Sequence, residues 1–360
     1  MAKKVLVGMS GGVDSSVAAL LLGEQGYEVV GVTFSLWHPP VDSELGLSTC
    51  CSQDDINDAR RVCNAIGIPH YVFNYRELFR EQVVENFVSS YKEGITPNPC
   101  IDCNRFIKFD AFLQRAAELG FDYIATGHYA HVDRDEATGR HRLRRSEHLR
   151  KDQSYVLYSL GQEVLSRLLL PLWGYEKEEV RAIAAKAGLE IAEKPDSQDI
   201  CFIPDGNCAA FLEEYTGQAA PAGEFVDTAG NVLGRHKGIW KYTIGQRRGL
   251  GMGFGRHMYV LDIDPATNRI TLGGDEELYR SRLVAAQVNF IEFEALTGPM
   301  EVEAKIRYAH TPAPAVIAPL PDGRVQVTFR EPQRAITPGQ AVVFYLGDRV
   351  LGGGTIQQDA

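Results

Sequence analysis

No stretch of this chain stays apolar for the length needed to cross a bilayer, and no low-complexity tail or internal repeat is present. Membrane-spanning, solenoid and disordered-tail classes are thereby set aside. Positive charge is also in deficit: 37 Lys and Arg face 47 Asp and Glu, a net −10. Such a balance excludes a protein that coats nucleic acid indiscriminately, though it leaves room for a local basic footprint. Met1-Ala2-Lys3-Lys4 leads directly into an apolar strand with no signal-like segment, so a cytoplasmic protein with no membrane partner is expected. Its seven cysteines are then reduced at rest, and clustered ones read as catalytic, redox or metal-binding.

What is present begins at Ser10-Gly11-Gly12-Val13-Asp14-Ser15-Ser16. Val5 to Met9 before it has the makings of a buried strand, and the Ala/Leu-rich run Val17–Leu22 after it reads as a helix. Strand, glycine-rich turn and helix together aim backbone N–H groups and a helix N-terminus at an anion. The paired glycines let a phosphate approach the backbone, and the serines add hydroxyl donors. The turn lacks the lysine of the loop that handles a terminal phosphate.

Strand and helix then alternate. Strands are expected at 27–34, 70–74 and 122–127, with helices over 53–66 and roughly 104–119. Alternation of this kind makes a doubly wound parallel sheet with ligands at the carboxyl ends of its strands. The loop at 10–16, Phe34 and Gly127-His128 all fall at such ends. Residues 150–200 read as helical. Gly, Ala and Pro near 205–225 mark a domain edge, followed by short strands over 225–275. From 283 onward, strands at 283–290, 301–308, 324–330, 340–346 and 349–356 suggest a small closed barrel.

Two cysteine segments stand out. In Thr96-Pro97-Asn98-Pro99-Cys100-Ile101-Asp102-Cys103-Asn104, the prolines set an extended approach to the helix at 104–119. Cys103 would sit at that helix's N-terminus, where the dipole favours a thiolate. Cys201, in Lys194-Pro195-Asp196-Ser197-Gln198-Asp199-Ile200-Cys201-Phe202, has polar neighbours in a loop. Cys100-x-x-Cys103 is also half a zinc site, but a second half is missing. Cys63 reads as a core residue, Cys208 as incidental, and Cys50-Cys51 as ambiguous.

Two basic stretches are candidates for RNA contact. Residues 140–151 hold Arg140, Arg142, Arg144, Arg145, Arg150 and Lys151; residues 235–257 hold Arg235, Lys237, Lys241, Arg247, Arg248 and Arg256 among Trp240, Tyr242 and Phe254. Cations for phosphates and rings for unstacked bases are how folded RNA is held.

Together, SGGVDSS, TPNPCIDCN, ATGHYA, KDQSYVL, KPDSQDICF, TIGQRRGLG and KIRY, in this order, closely resemble the bacterial tRNA-specific 2-thiouridylase (MnmA/TrmU) family of the PP-loop ATP pyrophosphatases. The resemblance covers essentially the whole chain. It implies a PP-loop catalytic domain at 1–205, a small mixed α/β central domain for tRNA at 206–280, and a β-barrel at 281–360. The implied reaction is that of a sulfurtransferase. ATP, with Mg²⁺, adenylates the 2-carbonyl of a tRNA wobble uridine, and a cysteine persulfide supplies sulfur, giving 2-thiouridine, AMP and pyrophosphate.

By resemblance Cys201 carries the persulfide and Cys103 is the nucleophile. Gly8, Met9, Ser10, Gly11, Gly12, Val13, Asp14, Ser15, Phe34 and Gly127 are the ATP contacts. Asn98, Pro99 and Cys100 meet the extruded uridine; His128, Lys151, Asp152, Gln153, Arg307, Tyr308 and Gln340 meet tRNA. Partners implied are tRNAs for Lys, Glu and Gln and a cysteine desulfurase or sulfur carrier. Many relatives have Asp where this chain has Cys100. Cys100, Cys103 and Cys201 are therefore also candidate ligands of a 4Fe–4S cluster, and relay and cluster both remain open. Two other readings keep less of the pattern: a PP-loop ligase acting on a small metabolite, and an RNA-binding regulator with a vestigial nucleotide site.

Overall fold

The computed structural model describes residues 2–37, 53–195 and 200–358. Residues 40–50, Cys50 among them, and Cys51 lie outside the described residues. The first domain is built on a parallel sheet of β1 (Lys4–Gly8), β2 (Glu28–Ser35), β3 (His70–Asn74), β4 (Tyr123–Ala125) and β7 (Leu168–Leu169), in the order β3-β2-β1-β4-β7. Alternate residues of the buried strands face opposite layers, as the two-residue period of a strand requires. Leu6, Val30, Val32 and Phe34 join one apolar cluster, while Val5, Val7, Met9 and Val29 join another. Helices α1 (Val13–Glu24) and α2 (Gln53–Ala65) pack on the second face. The chain reverses direction across the sheet between β1 and β4, so their carboxyl ends form the crevice where a ligand is expected.

On the first face lie two longer helices, α3 (76–92) and α4 (99–118), each with a π-helical stretch. Helix α4 begins five residues earlier than its apolar pattern suggests. Asn98 caps it, its side-chain oxygen accepting from the Cys100 N–H at 3.2 Å, and Pro99 occupies the first turn. A proline there loses no hydrogen bond and pre-sets the helical φ, so Pro99 starts the helix rather than holding it off.

A hairpin that the sequence does not announce precedes the segment read as helical, and that segment, 150–195 as described, is only partly helical. Ala130–Arg134 and His141–Arg145 form a hairpin, β5 and β6, and β6 pairs with the last strand of the third domain, Arg144 opposite Arg349. Helices α5 (Gln162–Ser166) and α6 (Lys177–Lys186) flank β7. In the central region α7 (Cys208–Thr216) precedes the sheet β10-β11-β8-β9, made of β8 (Gly223–Val226), β9 (Val232–His236), β10 (Tyr259–Asp264) and β11 (Arg269–Gly273).

The third domain is a closed six-stranded barrel: β12 (Tyr279–Phe290), β13 (Met300–Lys305), β14 (Ala313–Pro319), β15 (Val325–Arg334), β16 (Ala341–Leu346) and β17 (Arg349–Ile356). The order is β12-β15-β14-β13-β16-β17, and β17 returns to pair with β12. Strand β14 is absent from the sequence reading because of Pro314 and Pro319. Both are tolerated: Pro314 lies opposite Glu303 before the pairing with β15 begins at Ala315, and Pro319 ends the strand. Strand β13 stops at Lys305; beyond it Arg307 bonds to the Arg334 carbonyl at the end of β15, and Tyr308 reaches back to Asp152 of the first domain. No helix among the described residues is long and apolar enough to cross a membrane.

Candidate active site

The turn after β1 is tied to itself and to three other parts of the first domain. The Ser10 N–H donates to Ser15 Oγ at 3.1 Å, and the hydroxyls of Ser15 and Ser16 donate to the Gly12 carbonyl at 3.2 and 2.8 Å. Gly11 has φ +72°, a conformation that glycine adopts without cost. Gly12 is the N-cap of α1, so the first N–H groups of that helix and the turn's backbone face the same end of the sheet.

Asp14 is held from behind. The Lys177 ammonium, 7% exposed, donates to both carboxylate oxygens at 2.7 and 2.8 Å, and the Tyr129 hydroxyl donates to Oδ1 at 2.7 Å. Lys194 reaches the other side of the turn, donating to the Gly11 carbonyl at 3.1 Å and to Asp55 and Asp58 at 2.8 and 2.7 Å. Burial acts to raise the Asp58 carboxyl, but hydrogen bonds from Lys194 and Arg61 outweigh it and hold it below the usual range.

The strand ends close around this turn. A Cβ on Gly127 would stand 2.7 Å from the backbone of Asp14 and Ser15, so only glycine lets β4's end touch the loop. Phe34 is buried between Tyr75 and Phe112, at centroid distances of 5.6 and 4.8 Å, with its ring edge against Gly8. Its position forms an apolar wall beside the turn.

Cys100 and Cys103 are one turn apart on α4, Cys100 exposed and Cys103 buried. The Cys103 N–H already bonds to the Pro99 carbonyl, which places this residue inside the helix. The dipole acts mainly on the first turn. Its help therefore falls on Cys100, and the activation expected for Cys103 from an N-terminal position does not apply. Cys201 is half-buried against the same apolar cluster that contains Cys103. It is held there by Phe202, whose ring meets Phe79, Phe87 and Phe211 at 5.7, 5.4 and 5.2 Å. Among the described residues no set of three His, Cys, Asp or Glu is arranged to hold a metal, so Cys100, Cys103 and Cys201 do not form a cluster's donor set as placed. Cys63 is fully buried and its thiol pushed up to about 11 by burial, as a core residue should be.

Several residues assigned to tRNA by resemblance are engaged within the protein. Asp152 accepts from the Ser146 and Ser154 N–H groups at 3.1 and 3.2 Å and from the Ser154 hydroxyl at 2.8 Å. Gln153 Oε1 accepts from the Tyr129 N–H at 3.0 Å. Gln340 Nε2 donates to the Thr96 carbonyl at 2.9 Å, tying the barrel to the segment that leads into α4. Arg307 donates to the Arg334 carbonyl at 3.0 Å. Tyr308 is 47% exposed and its hydroxyl reaches the Asp152 carbonyl at 3.4 Å. Lys151 follows Arg150 at the end of the same turn, half-buried.

The basic stretches also resolve differently from their sequence appearance. In the first, Arg142 and Arg144 pair with Asp133, and Arg144 also with Asp348 at 2.7 Å, so these cations fasten the hairpin to the barrel. In the second, Arg235, Lys237, Arg247, Arg248 and Arg256 are exposed, whereas Trp240 and Tyr242 are buried. Its cations can meet phosphates; those two rings are core and not platforms for bases.

His128 is a further departure. Burial, with a smaller push from Lys108, drives its imidazole down to about 3 from 6.5, and Thr126 Oγ1 lies 2.8 Å from Nδ1. A neutral ring cannot pair with phosphate by charge. Between these two values the unfolded chain binds a proton that the folded chain refuses, so stability is full above the unfolded value and declines as pH falls below it. His128→Gln should flatten the decline in urea-unfolding free energy between about pH 6.5 and 4.5 by up to one proton. Parallel pH profiles for the two proteins would refute this.

Sequence reasoning missed Lys177, Tyr129 and Asp55, and named Lys194 only as a neighbour of Cys201. Lys177 and Asp14 are 163 positions apart, and nothing local to either announces the pair.

Comparison with known proteins places three family descriptions end to end on the chain: "tRNA methyl transferase HUP domain" over residues 3–205, "tRNA methyl transferase PRC-barrel domain" over 209–274, and "Aminomethyltransferase beta-barrel domain" over 280–356. The chain is 54% identical over 360 residues to a tRNA-specific 2-thiouridylase MnmA of Desulforamulus reducens, covering 99% of this chain and 97% of the relative. It is 52% identical to the protein of that name from Clostridioides difficile, with 99% of each covered. A solved 4-thiouridine synthetase–RNA complex with bound ATP is similar at 20% identity and a TM-score of 0.35, over 59% of this chain and 50% of that one.

Proposed function

The chain belongs to the tRNA-specific 2-thiouridylase family, and is thus a sulfurtransferase with a PP-loop ATP-using fold. From that premise we propose how its residues divide the work. The turn at Ser10–Ser15, with Gly8 and Gly127, binds the phosphates of ATP, and Phe34 lines the base. The 2-carbonyl of a uridine is urea-like and a poor electrophile. Attack of that oxygen on the α-phosphate, with release of pyrophosphate, turns it into a leaving group. The uridine must be extruded from its stack to reach the nucleotide, and Asn98, Pro99 and Cys100 at the exposed start of α4 are the residues that meet it.

Sulfur arrives as a persulfide on Cys201. The Cys103 thiolate attacks the inner sulfur, forming a Cys103–Cys201 disulfide and releasing hydrosulfide. Hydrosulfide adds to C2 of the adenylated base, and AMP departs with the former carbonyl oxygen. A thiol reductant then restores both cysteines. Mg²⁺ is carried by the phosphates of ATP, as is usual for an ion bound through substrate oxygens. This reading assigns no step to an iron–sulfur cluster, and the iron assay below decides between the two.

The observation that carries this reading is that Cys103 lies in, and Cys201 packs against, the apolar cluster that also holds Phe34. The residues 1–205, 206–280 and 281–360 then serve as catalytic, tRNA-binding and barrel domains; Tyr308 and Lys151 meet the tRNA directly, while Arg307, Gln340, Asp152 and Gln153, bonded within the protein, and the neutral His128 hold that surface in place. A cysteine desulfurase or carrier loads Cys201 in the cytoplasm. The test is incubation of the protein with unmodified tRNA for Lys, Glu or Gln, ATP, Mg²⁺ and a sulfide source. Equal amounts of 2-thiouridine and AMP are expected. AMP formed on a small metabolite, without thionucleoside, would overturn it. Iron and acid-labile sulfide assayed on anaerobically purified protein should be absent; about four irons per chain would replace the relay by a cluster.

A further inference from the structure

Lys194 stands at a junction of three segments of the first domain. Its ammonium has three protons and three acceptors: the Gly11 carbonyl, Asp55 Oδ1 and Asp58 Oδ2. Its own backbone is fixed as well. Arg181 of α6 donates to the Lys194 carbonyl at 3.0 Å and to the carbonyl of Ala192. One lysine therefore joins the turn after β1, helix α2 and the segment following α6.

The bond to Gly11 has a geometric consequence. No peptide among the described residues is cis, and in a planar trans peptide the C=O and the following N–H point to opposite sides. A Gly11 carbonyl drawn toward Lys194 turns the Gly12 N–H away from it, toward the side of the turn where Ser10 is exposed and Gly12 partly so. That is the side an anion must approach from. Gly11 is the residue that fits here, because the Asp55 carbonyl lies where a side chain on it would begin.

We infer that Lys194 is a positioning residue for the nucleotide: it sets the Gly11–Gly12 peptide so that the Gly12 N–H meets a phosphate of ATP. The inference rests on the turn being the ATP site. Its cation is occupied by Asp55 and Asp58, so its contribution is orientation of a donor and not contact with the phosphate.

Direct ATP binding to the full-length protein without tRNA, followed by calorimetry, tests it. Lys194→Met should weaken ATP binding about tenfold or more, raising KM for ATP in AMP formation more than it lowers kcat. tRNA affinity should stay unchanged, and Lys194→Arg, which keeps a cationic donor, should recover most of the loss. Lys194→Gln serves if the Met variant fails to fold, judged by its melting temperature, and should show the same loss. ATP affinity within about twofold of the parent in a folded Met or Gln variant would overturn the inference. If the parent protein itself fails to bind ATP, the nucleotide reading falls first and this one with it.

Discussion

Cys201→Ser should make no detectable 2-thiouridine, with ATP affinity unchanged. Oxygen cannot hold a transferable sulfur atom, so the loss is one of chemistry and not of degree; a residual rate above about one-thousandth of the parent would contradict the relay. Cys103→Ser should be equally inactive for a different reason. It should still accept a persulfide at Cys201, visible by mass as one added sulfur, and then stall because no thiolate releases it. The two variants thus give the same activity and opposite loading, an outcome no structural defect mimics. Cys100→Ser separates relay from cluster. In the relay Cys100 only adjoins the uridine, and its serine variant should keep activity within about tenfold. A complete loss at Cys100 together with loss at the other two would make all three equivalent, as ligands would be. None of the three variants should unfold the protein. Cys100 is exposed and Cys201 half-buried; Cys103 is buried, and a serine there replaces sulfur by a smaller polar atom inside a helix.

The parts legible in the sequence were those whose cause is local. The parallel sheet follows from apolar runs each ending at a turn, and the loop at 10–16 follows from its glycines. Where neighbours in space decided the outcome, the reading failed. Pro97-Asn98-Pro99 looks like an extended approach until one sees that Asn98 caps and Pro99 opens the helix, and that shift moved Cys103 out of reach of the dipole. Arg142 and Arg144 look like an RNA-binding stretch until Asp133 and Asp348 arrive beside them, the second from more than 200 positions away. Trp240 and Tyr242 look like base-stacking rings because alternation with cations is visible, whereas their burial, that of Tyr242 against Phe225, is not. The resemblance supplied residue roles that periodicity could not, yet it was silent on Lys177 and Lys194, whose partners are fixed only by the closed fold.

Gly11→Ala should cost more ATP affinity than any other single methyl group added to the first domain. Two penalties coincide there. With φ at +72° an alanine pays roughly 1–2 kcal/mol for the left-handed conformation. Its Cβ would also stand 2.5 Å from the Asp55 carbonyl oxygen and 2.9 Å from the Asp55 Cα. Those are backbone atoms near the start of α2, so no side-chain rotation relieves the overlap, and overpacking of this kind costs about 1–3 kcal/mol. The protein can lower both costs by turning the Gly11–Gly12 peptide, which abandons the bond to Lys194 and swings the Gly12 N–H off the phosphate. Affinity for ATP should then fall about a hundredfold, with a smaller drop in melting temperature. Gly127→Ala should act in the same direction from the opposite wall, since its Cβ would press on Asp14 and Ser15 at 2.7 Å. The control lies eleven residues downstream of the Ser-Gly-Gly turn, on the helix that follows it. Gly23 of α1 has nothing within 4 Å of where a Cβ would stand, so Gly23→Ala should leave ATP binding alone and stabilise the helix by up to about 1 kcal/mol. If Gly11→Ala binds ATP as well as Gly23→Ala does, the turn is not where the nucleotide sits.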